Sequence, residues 1–451
     1  MKAIGIDIGT TTICAVVLDM EKGIQLEKTI IPNRFIKSDI NWEKIQDPDR
    51  ICSCVEGIVC GYIKKYKDIS SIGVTGQMHG IVYTDANGKS LSPLYTWQDE
   101  RGEKIKIGGM DLFSYVEKYT GYMIATGWGM ATHIYNQMHG LVPEGTVSIK
   151  TIEDYVIDRL IGNESRLIHT SNAAAFGLYN MDAGAFDEKA LQMFQIEKEL
   201  LPKVSKRICI VGEYKGIPVT LSVGDNQAGV AGAVQDIKDM ILINVGTSAQ
   251  ISVAVEKIIQ INKSIEVRPY IDNEYIMVGS SLCGGCAYKV LEEFFRSYAA
   301  ALGCEAMPQY DIMEKIVSTK VVSPSGLKVK TSFAGTRDNA ETRGSIEHIT
   351  LDNFTPENLI YGFSEGIVLE LYGMYKTMME YTDVSPSGIV ILGNGIKKNK
   401  LMRKILEHVF ALPVKMTAFG EETAVGAALI SAVYTGSVES WAAAKEMIKY
   451  Q

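Results

Sequence analysis

One short turn, a glycine followed by hydroxyl residues, occurs twice in this 451-residue chain: Asp7-Ile8-Gly9-Thr10-Thr11-Thr12 and Asn244-Val245-Gly246-Thr247-Ser248. Apolar runs flank both copies. Ala3-Ile4-Gly5-Ile6 and Ile13-Cys14-Ala15-Val16-Val17-Leu18 enclose the first, and Ile241-Leu242-Ile243 and Ile251-Ser252-Val253-Ala254-Val255 the second. Each copy therefore reads as a β-hairpin with a polar tip. Glycine permits close backbone approach, and hydroxyls and amides at such a tip suit phosphate oxygens. A single copy carries little weight, because hairpin turns use these residues for conformational reasons alone. Two copies in matching context, 237 positions apart from Gly9 to Gly246, predict a duplicated domain with a nucleotide between its halves. The first copy opens on a carboxylate, Asp7, which suits a phosphate-bound magnesium ion reached through water.

A chain of 451 residues is long enough for two such domains. The boundary is expected near Asp236-Ile237-Lys238-Asp239, giving an N-terminal domain over 1–237 and a C-terminal domain over 238–451. Apolar runs at Ile72 to Thr75, Val219 to Val223 and Gly388 to Leu392 end in polar or glycine-rich turns and alternate with amphipathic helices. This is the pattern of an α/β protein, whose ligand sites lie beyond strand ends.

The formal net charge of −8 gives no general attraction to nucleic acid or anionic membranes. No run is long and apolar enough to span a bilayer. The N-terminus enters a strand where a signal peptide would need an apolar stretch, and the eight cysteines show no framework spacing. A reducing, cytoplasmic setting is expected. Cys283-Gly284-Gly285-Cys286 lacks a second pair for zinc and a thioredoxin-like surround. Its glycines read as tight packing at the start of a helix whose buried stripe is Val290, Leu291, Phe294 and Phe295. The stretch 323–353 has little apolar periodicity and reads as surface loops.

Four further segments carry polar groups at strand ends. Gly76-Gln77-Met78-His79-Gly80 would expose three side chains in a tight turn, with Gln77 and His79 able to bind hydroxyls, or would be an ordinary connecting loop. Thr96-Trp97-Gln98-Asp99-Glu100-Arg101 offers an aromatic face with a carboxylate and a guanidinium, which suits a sugar, although Trp97 equally suits a core. Asp225 in Gly224-Asp225-Asn226-Gln227 stands at a strand-to-helix turn, where it either caps the helix or accepts a proton from an attacking hydroxyl. Gly393-Asn394-Gly395 ends another strand ahead of Lys398-Asn399-Lys400, and its lack of bulk would admit an adenine or ribose.

In this order along the chain, these segments resemble the FGGY family of carbohydrate kinases, within the actin, Hsp70 and hexokinase superfamily. The resemblance extends over essentially the whole sequence. It implies two ribonuclease-H-like domains flanking a MgATP cleft and phosphoryl transfer to a sugar hydroxyl. Asp225 matches the family's catalytic aspartate, and Asp7 with Asp225 the magnesium side. Gly9, Thr10, Thr11, Thr12, Gly246, Thr247 and Ser248 match the phosphate contacts; Gly393, Asn394, Gly395 and Asn399 match the adenosine contacts. Gln77, Met78, His79, Trp97, Asp99, Arg101 and Asn226 are the expected sugar contacts. The implied partners are a small sugar and MgATP, and a homodimer is compatible with the family although no interface motif is legible.

Within the family, Gly76 to Gly80 looks like xylulokinases and sedoheptulokinases. Gly224 to Ala228, Asn244 to Gln250, and Arg268-Pro269-Tyr270 through Ser281-Leu282-Cys283-Gly284-Gly285 resemble sedoheptulokinase-like sequences. The expectation is a ketose kinase acting on sedoheptulose, with D-xylulose as the alternative. From another class, an actin-like or Hsp70-like ATPase would use the same hairpins without a sugar; Gln77 to His79, Trp97 and Asp225 weigh against it.

Overall fold

The computed structural model describes residues 1–262, 264–304, 307–319, 325–337, 339 and 341–451. They form two compact units. The first comprises Met1–Gln235, Pro269–Glu274 and Phe419–Lys449; the second comprises Asp236–Arg268, Tyr275–Ala418 and Tyr450–Gln451. The spatial division is thus not a single cut after residue 237, because the helix Glu422–Tyr434 packs into the first unit.

In the first unit the strands Lys2–Ile8 and Thr12–Asp19 form an antiparallel hairpin, from Lys2 opposite Asp19 to Ile8 opposite Ile13. Ile24–Pro32 extends the sheet antiparallel on one side, and Ile69–Gly76 joins parallel on the other. The period of two sorts the first strand into faces. Ile4, Ile6 and Ile8 enter a core with Ile51, Val55 and Val59 from the helix Pro48–Lys65 and with Ile152 and Val156. On the opposite face Gly5 lies in register with Gly73. A Cβ at Gly5 would stand 1.8 Å from the Ala424 carbonyl oxygen, and one at Gly73 2.0 Å from that of Ala427. Glycine at both positions lets the helix Glu422–Tyr434 lie backbone-close on the sheet.

The second unit repeats the motif. Met240–Val245 and Ala249–Val255 form its hairpin, Tyr275–Ser281 extends it antiparallel, and Gly388–Leu392 joins parallel to its first strand. The order of parallel strand, hairpin and antiparallel strand is the same in both units. Beneath this sheet Ile241, Ile243 and Val253 pack with Ile367 and Leu371 of the helix Pro356–Met379.

Two sequence expectations are corrected here. The helix Gly285–Ala301 buries Ala287 and Leu291, whereas Val290 is 47% and Phe294 60% exposed. Within 323–353, Lys328–Lys330 pairs with Ser345–Glu347, and Leu327 and Val329 are buried with Leu359 and Phe363. Residues 323, 324, 338 and 340 of that stretch lie outside the described residues. Among the described residues no helix is long and apolar enough to cross a membrane.

Candidate functional site

In the first unit the hairpin tip and the expected sugar loop are one hydrogen-bonded assembly. The Thr10 hydroxyl donates to Gln77 Oε1 (3.2 Å) and accepts from Trp97 Nε1 (2.8 Å). Gln46 Nε2 donates to the Thr10 carbonyl (2.7 Å), and Gln46 Oε1 accepts from Gln77 Nε2 (2.8 Å). Asn33 Nδ2 holds the Gly9 carbonyl at 2.9 Å, and the Asn33 amide holds that of Thr11. The Thr10 hydroxyl is therefore committed to Trp97 and Gln77, while Thr11 is exposed and Thr12 half-buried at the tip. Gln46 and Asn33 were not among the sequence candidates. Both are isolated amides in an otherwise unremarkable stretch, and only tertiary pairing reveals them.

Of the loop side chains, Gln77 and Met78 are buried and His79 is half-buried. His79 has φ +78°, a conformation that costs a non-glycine residue energy and that clusters at functional sites. Its Nδ1 faces the Ala175 carbonyl at 2.8 Å, so this nitrogen carries a proton, and its ring stacks on Trp128 with centroids 5.0 Å apart. Trp97 is 41% exposed, which leaves a face of the indole available to a ligand.

Asp99 and Arg101 are spent on each other. Arg101 Nε donates to Asp99 Oδ1 (2.6 Å) and its Nη2 to Asp99 Oδ2 (3.1 Å), and the guanidinium lies 3.9 Å from the centroid of the Tyr95 ring. Arg101 Nη1 donates to Asn136 Oδ1, and Asp99 Oδ2 accepts the Lys44 amide. Asp99 is fully buried and Arg101 nearly so, and this geometry engages them in an internal ion pair where the sequence led us to expect sugar contacts. Asp99→Ala would leave a buried guanidinium without its main partner. The expected result is a stability loss of about 3 kcal/mol or more, read by denaturant unfolding. A higher sugar KM at unchanged stability would instead place Asp99 on the sugar.

The sheet register brings the two aspartates together. Asp7 lies across from Thr75, and Thr75 across from Val223, two residues ahead of Asp225. Asp225 is the first residue of the helix Asp225–Ala233. Burial pushes the Asp7 carboxyl well above the usual range, with the charges of Asp225 and Glu421 adding to it. Asp7 Oδ1 is buried with no hydrogen-bond partner. An orphaned carboxylate oxygen beside a second carboxylate fits a cation that is held mainly by phosphates and water. Among the described residues no group of three or more His, Cys, Asp or Glu could hold a metal ion by itself. Asn226 is half-buried with its Oδ1 unpartnered.

Behind Asp225 lie two buried acids that sequence reading missed. Burial pushes Glu153 well up, with Asp154 and then Asp225 adding, and burial raises Asp154 to about 7. Thr151 caps their helix by accepting the Asp154 amide. The Thr-x-x-Asp pattern is legible as a cap, but a cap predicts an exposed acid, so the sequence held no sign of their burial.

In the second unit Gly246 and Thr247 are exposed at the tip. The Gly284 and Cys286 amides donate to the Thr247 carbonyl and the Gly285 amide to that of Gly246, which anchors the tip to the start of the helix Gly285–Ala301. Gly393 has φ +85°, and a Cβ there would stand 2.4 Å from the Val245 carbonyl oxygen. The space opened at Gly393 is thus used by the hairpin, and the exposed group of this turn is Asn394. Asn399 caps the helix Lys400–Phe410 by accepting the Met402 amide.

Residues 2–237 match the N-terminal domain, and residues 241–435 the C-terminal domain, of the FGGY family of carbohydrate kinases. The chain is 27% identical over 475 residues to a gluconokinase of Bacillus subtilis (strain 168), covering 99% of this chain and 90% of the relative. It is 24% identical to a sedoheptulokinase of Mus musculus, covering 95% and 96% respectively. In fold it resembles a xylulose kinase from Rhodospirillum rubrum, with a TM-score of 0.85 at 18% identity over 100% of this chain and 93% of that one. With both domains matched in order along nearly its whole length, the chain belongs to the FGGY family of carbohydrate kinases, phosphotransferases that use ATP and an alcohol acceptor.

Proposed function

We propose that this kinase transfers the γ-phosphoryl group of ATP to the terminal hydroxyl of sedoheptulose, giving sedoheptulose 7-phosphate. The observation that carries the reading is the junction at Thr10, where Gln77 and Trp97 join the first hairpin tip. It joins two of the expected sugar contacts to a turn suited to phosphate. Trp97 offers an apolar face for sugar C–H groups, and Gln77 and His79 fix hydroxyls. Asp225 accepts the proton of the attacking hydroxyl; positioning and electrostatics do most of the remaining work, because the transition state is loose. Asp7 and Asp225 would hold magnesium at the phosphates. When bound, the ion neutralises charge developing on the phosphate oxygens.

The relatives' names divide between gluconate, sedoheptulose and xylulose. Charge favours a neutral sugar over gluconate, because the one guanidinium among the expected contacts, that of Arg101, is consumed by Asp99. The resemblance of Gly224 to Ala228 and of Ser281 to Gly285 to sedoheptulokinase-like sequences favours sedoheptulose over D-xylulose. The test is a coupled ADP-release assay with MgATP against sedoheptulose, D-xylulose, gluconate and glycerol, comparing kcat/KM. Sedoheptulose is expected to exceed D-xylulose by at least about tenfold, the discrimination that two missing hydroxymethylene groups provide, and to exceed gluconate and glycerol as well. Dominance of D-xylulose or gluconate would overturn the substrate while leaving the chemistry in place.

A further inference from the structure

The turn that delivers Asp225 is gripped at two of its residues from one short helix. The segment Thr170–Phe176 is a seven-residue helix with His169 as its N-cap. The Ser171 hydroxyl accepts the Gly224 amide at 3.2 Å and meets His169 Nδ1 at 2.9 Å. The Ser171 amide also donates to that nitrogen at 3.2 Å, so Nδ1 is the acceptor and Ser171 gives its hydroxyl proton to it. His169 is fully buried, and burial lowers it to about 4, which keeps the ring neutral and Nδ1 able to accept. One residue on, Asn172 Nδ2 donates to Ser222 Oγ at 3.1 Å, and the Ser222 hydroxyl donates to Asp154 Oδ1 at 2.5 Å. The residue between, Val223, is held through its carbonyl by the Thr75 hydroxyl at 2.6 Å. Ser222, Val223 and Gly224, the three residues ahead of Asp225, are therefore each pinned.

The far end of the same helix holds the sugar loop, because the Ala175 carbonyl receives His79 Nδ1. Between these ends Met78 fills the space over Gly224, where a Cβ would stand 2.6 Å from its sulfur. Six of its seven residues are buried, so packing holds this short helix in place, and its two ends touch two functional elements that are remote in sequence.

We propose that the helix Thr170–Phe176 is the gauge that fixes the spacing between the sugar loop and Asp225, and that His169 and Ser171 are positioning residues for Asp225. The proposal rests on the reading of Asp225 as proton acceptor. A misplacement of about 1 Å at such a group costs on the order of 10²-fold in rate. With Ser171 unhooked, sugar still meets Gln77, His79 and Trp97, so the loss appears in turnover and not in binding.

The experiment compares His169→Ala, His169→Asn and Ser171→Ala with wild type and Asp225→Ala, measuring sugar KM, kcat and thermal unfolding. Asparagine keeps both an acceptor near the Nδ1 position and a good N-cap, but loses the ring. His169→Ala and Ser171→Ala are expected to lower kcat by about 10- to 100-fold with sugar KM within about threefold, and His169→Asn to recover most of the loss. If His169→Asn is as impaired as His169→Ala, ring packing is the cause and the positioning role falls. If Ser171→Ala keeps full kcat, the gauge falls as well, and this variant carries the test should His169→Ala not fold. Full activity in Asp225→Ala would instead remove the reading beneath the proposal, so the two failures are told apart.

Discussion

Asp225→Ala is expected to abolish phosphoryl transfer, with kcat reduced by about 10²- to 10⁴-fold or more, while the protein stays folded and still binds ATP. The magnitude follows from losing the proton acceptor together with a group aligned on the attacking hydroxyl. The variant has a second signature that a merely structural residue would not give. Burial pushes up both Asp7 and Glu153 and the charge of Asp225 adds to it, so that charge opposes ionisation of these two groups in the folded state. Removing it relieves that repulsion, and Tm should be unchanged or higher, as is common where an active site is built at the expense of stability. The pair of measurements is a coupled ADP-release assay and a thermal scan. Full activity in the folded variant would sink the assignment; lost activity with a sharply lower Tm would trace the loss to unfolding, since the N-cap of this helix is Gly224 and Asp225 makes no side-chain cap bond.

A large loss of stability is expected from Gly426→Ala, a change that helix propensity alone would favour by about 1 kcal/mol. The helices Asp225–Ala233 and Glu422–Tyr434 meet at two glycines. A Cβ at Gly426 would stand 1.8 Å from the Ala228 carbonyl oxygen, and one at Gly232 2.0 Å from that of Glu422. The obstructing atoms are backbone of a buried helix and cannot turn away as a side chain would. The helix pair must separate, at a cost of about 3 kcal/mol or more, the upper range for overpacking. Because one of the two helices begins at Asp225, kcat should fall as well. Denaturant unfolding decides the matter. A Gly426→Ala protein as stable as wild type would mean that the helices are not in backbone contact.

Both outcomes depend on features with different legibility in the sequence. The hairpins at Gly9 and Gly246 were legible because a strand, a polar glycine turn and a second strand are local patterns, and recurrence distinguished them from ordinary turns. Asp225 at a strand-to-helix turn was legible for the same reason. Gln77 and Trp97 were legible as residue types suited to a sugar, but their joint hold on Thr10, which occupies its hydroxyl, was not. Gln46 and Glu153 were invisible, since nothing in a local window marks a polar residue for full burial. Asp99 and Arg101 misled because a carboxylate and a guanidinium two residues apart serve a ligand and an internal ion pair equally well.

The sequence by itself determined the duplicated α/β plan, the polar hairpin tips, the acid poised before a small-residue helix, and membership of a kinase family, because each is written in short-range order and type. Tertiary structure alone decided that residues 419–449 return to the first unit, that four glycines let a helix lie on sheet and helix backbones, and that His169, Ser171 and Asn172 grip the turn before Asp225. These depend on distances between segments remote in the chain. Close packing turns such distances into energies of several kcal/mol, and a linear pattern does not contain them.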